Sequence, residues 1–313
     1  MTLNSTFLPA PLKHNDIVEI IAPASAGFSQ ENLKKASDFI ESINLRPSIN
    51  LEIVGNNLPY HSNTDEIRAE QLIKALYSTD SKAIWCMRGG YGSAKLIKYI
   101  DNYIKDHGLP NTPKWLIGFS DITILHIYLN QKFGWLTLHA PVLNSVIEKD
   151  LKQEDIVLTE KIIFGQIPNF TLTLEAFNYI ALNNKEDIKG VITGGNLCVI
   201  DKTIGTGYEI ETNNKILLLE DIGEKGYSID RMLEHLKDAG LLNNILALIY
   251  ADFTDSDKNL EYALKSFAKK QTFPVYKCNN IGHGKINYPF LVGSTSEITY
   301  STKENPSILL NYL

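Results

Sequence analysis

The sequence predicts an α/β fold built on a parallel sheet. Short, nearly continuous apolar runs at 17–22, 83–87 and 115–117 read as strands buried on both faces. Between them, apolar residues recur at helical spacing, a βαβα rhythm that puts helices on both sides of such a sheet. The length of 313 residues is enough for two domains, each with its own core.

Taken in order, Ile17 to Ala22 is the first strand. Leu33, Ala36, Ile40 and Ile43 mark the helix after it. Ala69, Leu72, Ile73 and Leu76 form a second helical face, with a start at Asn63 or Thr64. Ala83 to Met87 is a strand, and Leu96, Ile97, Ile100 and Ile104 lie on the next helix. Trp115-Leu116-Ile117 is a short buried strand ended by Gly118, and Asp121 to Gln131 reads as helix. From about Glu148 to Asn184 the pattern is weaker and more polar, and 151–185 is taken as a connection between an N-terminal domain (1–150) and a C-terminal one (186–313). In the latter, Gly190 to Thr193 runs into Gly194-Gly195-Asn196, and Lys215 to Leu219 and Ile245 to Tyr250 are buried strands. Ile229, Met232, Leu233 and Leu236 line a helix that stops at Gly240. The tail, Glu297 to Tyr300 and Ser307 to Leu310, reads as a hairpin around Lys303 to Pro306.

The composition narrows the function. A net charge of −6 argues against nucleic acid as a partner, because phosphate binding needs a basic face. No apolar run approaches the roughly 18 residues needed to span a bilayer, so no membrane association is expected. Met1 to Lys13 has neither the basic start nor the apolar stretch of a signal peptide. Three widely spaced cysteines, Cys86, Cys198 and Cys278, form no disulfide framework and no metal-ligand pattern. A reducing cytoplasm is the expected compartment.

In open parallel sheets, ligands sit at the carboxyl ends of the strands. Two turns fall there: Arg88-Gly89-Gly90-Tyr91-Gly92 and Gly118-Phe119-Ser120-Asp121. A serine on a sharp strand-to-helix turn is lifted into the open beside the positive end of a helix dipole, so Ser120 is a candidate nucleophile. A hydroxyl is a poor nucleophile without a base near neutrality, and the base needs an orienting carboxylate. Among seven histidines, His283 stands between two glycines in Gly282-His283-Gly284, where ring and backbone can approach other groups closely. An ordinary surface turn is the competing reading. His126 and His139 are candidates to support the site from behind. For the carboxylate, Glu220 directly follows the apolar run Leu217-Leu218-Leu219; Glu224 competes, and a strand-end cap is the plainer alternative. An oxyanion hole needs two converging amides, and Asp121 and the Gly89-Gly90 turn offer them. A phosphate loop at Arg88 to Lys95 is a weaker reading: the third glycine of a dinucleotide fingerprint is missing and the spacing does not fit a Walker loop. The Gly-x-Ser-x-Gly elbow is also incomplete, with Ile122 at its last position.

Together these segments resemble the LD-carboxypeptidase family of serine peptidases, which includes murein tetrapeptide carboxypeptidases and microcin C self-immunity proteins. The resemblance rests on Ile20 to Ser25, Arg68 to Leu72, Ala83 to Gly92, Gly118 to Asp121, Leu138 to Pro141, Gly194 to Leu197, Leu219 to Asp221 and Gly282 to Gly284, in register over most of the chain. It implies a flavodoxin-like N-terminal domain and a smaller, β-rich α+β C-terminal domain, usually in a homodimer. It implies a triad of Ser120, Glu220 and His283, with the amides of Gly90 and Asp121 as oxyanion hole. Arg88, Gly89 and Asn196 are candidate substrate-binding residues. No cofactor is implied. Phe119 stands where a tyrosine is common, and Ala140 where a glycine is frequent. The implied activity is removal of the terminal D-Ala of a cytoplasmic murein tetrapeptide in cell-wall recycling. The alternatives are cleavage of a peptidyl-nucleotide amide, as in microcin C immunity, and a non-catalytic muropeptide-binding protein.

Overall fold

In the computed structural model, which describes residues 6–53, 58–148, 154–300 and 305–313, the first apolar run forms strand β1 (Ile17–Ile21). It lies parallel to both its neighbours, β2 (Arg46–Ile49) and β3 (Ser81–Cys86). β3 pairs in parallel with β4 (Trp115–Gly118), and β4 with β5 (Thr137–His139). The order β2-β1-β3-β4-β5 is that of a flavodoxin-like sheet. Val18, Ile84, Leu116, Ile117 and Leu138 are fully buried, as a sheet covered on both faces requires.

The helices follow the apolar spacing. α1 (Gln30–Ser42) begins in a capping box between Ser29 and Asn32 and buries Leu33, Ala36, Phe39 and Ile40. α2 (Asp65–Tyr77) starts at Thr64, whose hydroxyl accepts the Ile67 N–H. α3 (Ile97–His107) ends at Gly108. The helix expected from Asp121 is α4 (Thr123–Phe133), entered through a 3₁₀ turn at Ser120–Ile122. Every residue of α4 from Thr123 to Leu129 is buried, so exposure is confined to its last turn, at Lys132. α5 (Leu143–Glu148) and α6 (Glu154–Ile163) complete a first compact unit, Met1–Gln166.

The stretch expected as a connection is structured where it is described; residues 151–153 lie outside the described ones. α6 buries Ile156, Leu158, Ile162 and Ile163 in the first unit. β6 (Asn169–Thr173), β7 (Glu175–Ala176) and α7 (Tyr179–Asn183) belong to the second, Ile167–Leu313.

The second unit has a parallel centre of β8 (Ile188–Asn196), β9 (Lys215–Ile222), β10 (Ala247–Thr254) and β11 (Val275–Lys277). α8 (Leu197–Asp201), α9 (Gly226–Asp238) and α10 (Leu260–Lys269) join these strands. β12 (Phe290–Val292) is short and buried. β13 (Thr295–Thr299) and β14 (Ser307–Asn311) form the expected antiparallel hairpin; the turn residues Lys303 and Glu304 lie outside the described residues. The sheet order is β6-β14-β13-β8-β9-β10-β11-β7, so antiparallel strands flank the parallel centre. β9 lies in the middle, and its buried run Ile216 to Leu219 delivers Glu220 to the sheet's carboxyl end.

Candidate active site

In the first unit, β4 ends at Gly118, Phe119 is extended, and Ser120 adopts a left-handed φ of +63° at the head of the 3₁₀ turn that feeds α4. A left-handed backbone costs a non-glycine residue about 1 kcal/mol or more, and such strain clusters at functional sites. The turn leaves Ser120 half-buried, while Phe119 packs its ring edge-on to His139 at 5.8 Å.

The glycine turn lies against this serine. A Cβ on Gly89 would fall 2.8 Å from Ser120 Cβ and 3.1 Å from Ser120 Oγ, so only glycine fits there. Gly90 takes a φ of +103°, and the hydroxyl of Ser25 accepts the next amide, Tyr91 N–H, at 2.9 Å. The buried Asp121 carboxylate accepts the Ser93 N–H at 2.8 Å and so ties the glycine turn to the serine turn. Burial pushes the Asp121 carboxyl up, and the Ser93 amide partly offsets that. Arg68 is fully buried and donates to the carbonyls of Pro23, Asn63 and Gly92, which pins three loops together. Arg88 donates through Nη1 to the carbonyls of Ala26 at 2.9 Å and Gly27 at 3.0 Å, a contact that shapes the turn.

His126 lies on α4 beneath the serine turn. Its Nε2 donates to the Gly118 carbonyl at 2.9 Å, and its Nδ1 is buried without a hydrogen-bond partner among the described residues. Burial pulls its pKa down to about 4. The unfolded chain therefore binds more protons between pH 4 and 6.5, and this group's contribution to stability is complete above pH 6.5 and is lost as pH falls towards 4. The expected loss is on the order of 3 kcal/mol. Urea unfolding at pH 7 and pH 4.5 checks this: His126→Gln should lose less stability over that interval than the wild type, and parallel curves would refute it.

In the second unit, Glu220 is fully buried, and its Oε2 accepts the Nδ1–H of His283 at 2.6 Å. That bond fixes the imidazole tautomer and leaves Nε2 as the basic nitrogen. Asp221 points the other way, as the alternation of a strand demands. It accepts from Asn196 Nδ2 at 3.1 Å, Cys198 N–H at 2.8 Å and Ile222 N–H at 2.8 Å. Burial and the neighbouring Glu220 charge push the Asp221 carboxyl up to about 6. Asn196 caps α8, its Oδ1 accepting the Val199 N–H at 3.1 Å while its amide holds Asp221. Glu224 sits four residues beyond Glu220 and accepts the Ser228 hydroxyl at 2.6 Å, a local bond within its own turn.

Within each unit, then, the expected residues come together: Ser120, Asp121, Gly89 and Gly90 in the first, and Glu220 and His283 in the second. The sequence reading gave no role to Arg68 as the pin of the loops. Its signal was a charged residue on the buried face of α2, in line with Leu72 and Ala75. No helix among the described residues is long and apolar enough to cross a membrane.

Two family models match the chain: the LD-carboxypeptidase N-terminal domain over residues 18–140 and the C-terminal domain over residues 189–298. A protein of Rickettsia conorii named as a carboxypeptidase is 35% identical over 298 residues, covering 95% of this chain and 92% of that protein. A Bacillus subtilis protein with the name "Probable murein peptide carboxypeptidase" is 30% identical over 308 residues, covering 95% and 93% of the two. Among solved structures, the microcin immunity protein MccF in complex with glutamyl sulfamoyl guanosine superposes with a TM-score of 0.81 at 20% identity, covering 98% of this chain and 99% of that one. The match of both family domains, together with relatives of this identity over nearly the whole length, shows that the chain belongs to the LD-carboxypeptidase family of serine-type peptidases.

Proposed function

We propose that this protein removes the terminal D-Ala from murein tetrapeptides, as a cytoplasmic, homodimeric enzyme of cell-wall recycling. The observation that carries the reading is the buried Glu220–His283 pair at 2.6 Å, in a family of serine carboxypeptidases whose chain also holds Ser120 on a strained strand-to-helix turn. His283 Nε2 takes the proton of Ser120 as Oγ attacks the carbonyl before D-Ala. Glu220 keeps the imidazole in the required tautomer and stabilises the imidazolium. The amides of Gly90 and Asp121 hold the oxyanion. His283 then protonates the leaving amine, and D-Ala departs. Water, activated by the same base, hydrolyses the ester on Ser120. Arg88, Gly89 and Asn196 shape the pocket around the substrate. The name of the Bacillus relative supports a murein peptide as substrate.

The test is D-Ala release from a murein tetrapeptide, compared with release of L-Ala from the L-terminated analogue. The pocket must place the terminal carboxylate and methyl in mirror-image positions for the two forms. The wrong hand leaves a buried charge unpaired, at a cost of several kcal/mol, so kcat/KM should favour the D form by roughly 10²-fold or more. Equal rates would refute the stereochemical reading. Cleavage of a peptidyl-nucleotide amide without D-Ala release would establish the immunity-type activity instead. Tight muropeptide binding without turnover would leave a binding protein.

A further inference from the structure

β9 and β10 run in register through Leu219 and Tyr250, and resume at Asp221 and Phe253. Two residues of β10, Ala251 and Asp252, therefore oppose one residue of β9, and that residue is Glu220. A bulge of this kind bends its strand and re-aims a side chain, and bulges are over-represented beside active sites. Here it turns Asp252 out of the ladder towards the loop that carries His283. The Asp252 N–H donates to the Ile281 carbonyl at 2.9 Å. Its carboxylate accepts the Asn280 N–H at 3.2 and 3.1 Å. Both ends of Asp252 thus hold the two residues that precede Gly282-His283-Gly284.

The glycines on either side of His283 record the same arrangement. A Cβ on Gly282 would fall 2.7 Å from Glu220 Oε2, and one on Gly284 would fall 2.5 Å from Asp252 Oδ2. Each glycine makes room for one of the two carboxylates. The loop is closed from its far side by Gly282 N–H to Asn287 Oδ1 at 2.8 Å and Tyr288 N–H to the Asn280 carbonyl at 2.6 Å. Glu220 orients the ring, and nothing in that bond fixes the backbone that presents it.

We propose that Asp252 is a positioning residue for His283: from the bulge opposite Glu220 it clamps Asn280 and Ile281 and so fixes the loop that holds the imidazole on Glu220. The inference rests on His283 as the catalytic base, but not on the identity of the substrate. A displaced base costs rate and leaves binding intact, since a misplacement of about 1 Å can cost about 10²-fold.

Two measurements on the full chain test it. One is the low-field proton resonance of the short Nδ1–H bond from His283 to Glu220, which needs no substrate. The other is the division of any loss between kcat and KM in D-Ala release. Asp252→Ala is expected to weaken or abolish the resonance and to lower kcat by about 10- to 100-fold, with KM within about threefold. Asp252→Asn retains an acceptor for the Asn280 N–H and should restore both readouts to within about threefold of wild type. Gly284→Ala disturbs the clamp from the loop side: Gly284 is outside the left-handed region, and its Cβ would crowd Asp252 Oδ2 at 2.5 Å while meeting the Ile286 carbonyl only at an ordinary 3.5 Å. Combined with Asp252→Ala it should cost no more than the larger single change. A resonance and kcat unchanged in Asp252→Ala would overturn the proposal. So would equal losses in the Ala and Asn variants, or multiplying costs in the double variant. If Asp252→Ala does not fold, Asp252→Asn with wild-type readouts beside a kcat-selective loss in Gly284→Ala supports the clamp, and an unchanged Gly284→Ala overturns it. An enzyme that releases no D-Ala would overturn the substrate reading while the resonance still decides this one.

Discussion

Replacing Ser120 by alanine should lower kcat/KM for D-Ala release by about 10⁴- to 10⁶-fold while leaving the fold intact. The size of the effect follows from the proposed mechanism: without Oγ no acyl-enzyme would form, and only substrate binding and oxyanion stabilisation would be left. The intact fold follows from position. Ser120 is half-buried at a turn, and Ile122, Thr123 and Ile124 behind it supply the packing. The backbone offers a second, opposite readout. Ser120 holds a φ of +63°, where glycine is at ease and serine is not. Ser120→Gly should therefore be as inactive as Ser120→Ala yet more stable than wild type, by about 0.5–1 kcal/mol. Paired kinetics and urea unfolding of the two variants check both halves. More than a tenth of wild-type activity in Ser120→Ala would remove Ser120 from the nucleophile's role. A Ser120→Gly protein less stable than wild type would show that the strained turn stores no energy.

Much of this site is legible in the sequence because its parts sit at the ends of buried strands. Leu217-Leu218-Leu219 reads as a covered strand, and an acid directly after such a run is not a typical solvated residue. Ser120 is read the same way, from Trp115-Leu116-Ile117 and the glycine that ends the run. The apolar runs at β1, β3 and β4 predict a parallel sheet, while its flavodoxin-like order is implied by the family resemblance alone. β5 escapes notice because three residues, Thr137 to His139, are too few to show a period. α6 was hidden by the polar residues before it, although Ile156, Ile162 and Ile163 share a face. β6 and the two-residue β7 carry mostly exposed side chains, and their pairing to β14 and β11 is decided by long-range register. Asp252 is the sharpest case. In Tyr250-Ala251-Asp252-Phe253 an acid near a strand end looks solvated, and only the register shift against β9 aims it at the His283 loop. Sequence periodicity reports which face a residue takes, and a bulge is where that rule is suspended.

The second large effect is expected at Glu220, and it distinguishes two acids that the sequence places four residues apart. Glu220 is fully buried; Oε2 takes the His283 Nδ1–H at 2.6 Å, and Oε1 has no hydrogen-bond partner among the described residues. In Glu220→Gln the amide oxygen can still accept the Nδ1–H, with the NH₂ group in the place of Oε1. On the proposed mechanism, what is lost is the negative charge that would stabilise the imidazolium as the proton leaves Ser120, together with the certainty of the tautomer, because a flipped amide presents a donor to Nδ1. Both losses fall on the transition state, so kcat should drop by about 10³- to 10⁴-fold with little change in KM. Glu224 differs in each respect. It is partly exposed and bonded to Ser228 at 2.6 Å within its own turn. Glu224→Gln keeps an acceptor for that hydroxyl and should stay within about threefold of wild type. Steady-state kinetics on the D-Ala tetrapeptide decide between them. A larger loss in Glu224→Gln than in Glu220→Gln would transfer the orienting role to Glu224. A Glu220→Gln enzyme that lost KM and kept kcat would show that the buried acid binds substrate and does not serve the base.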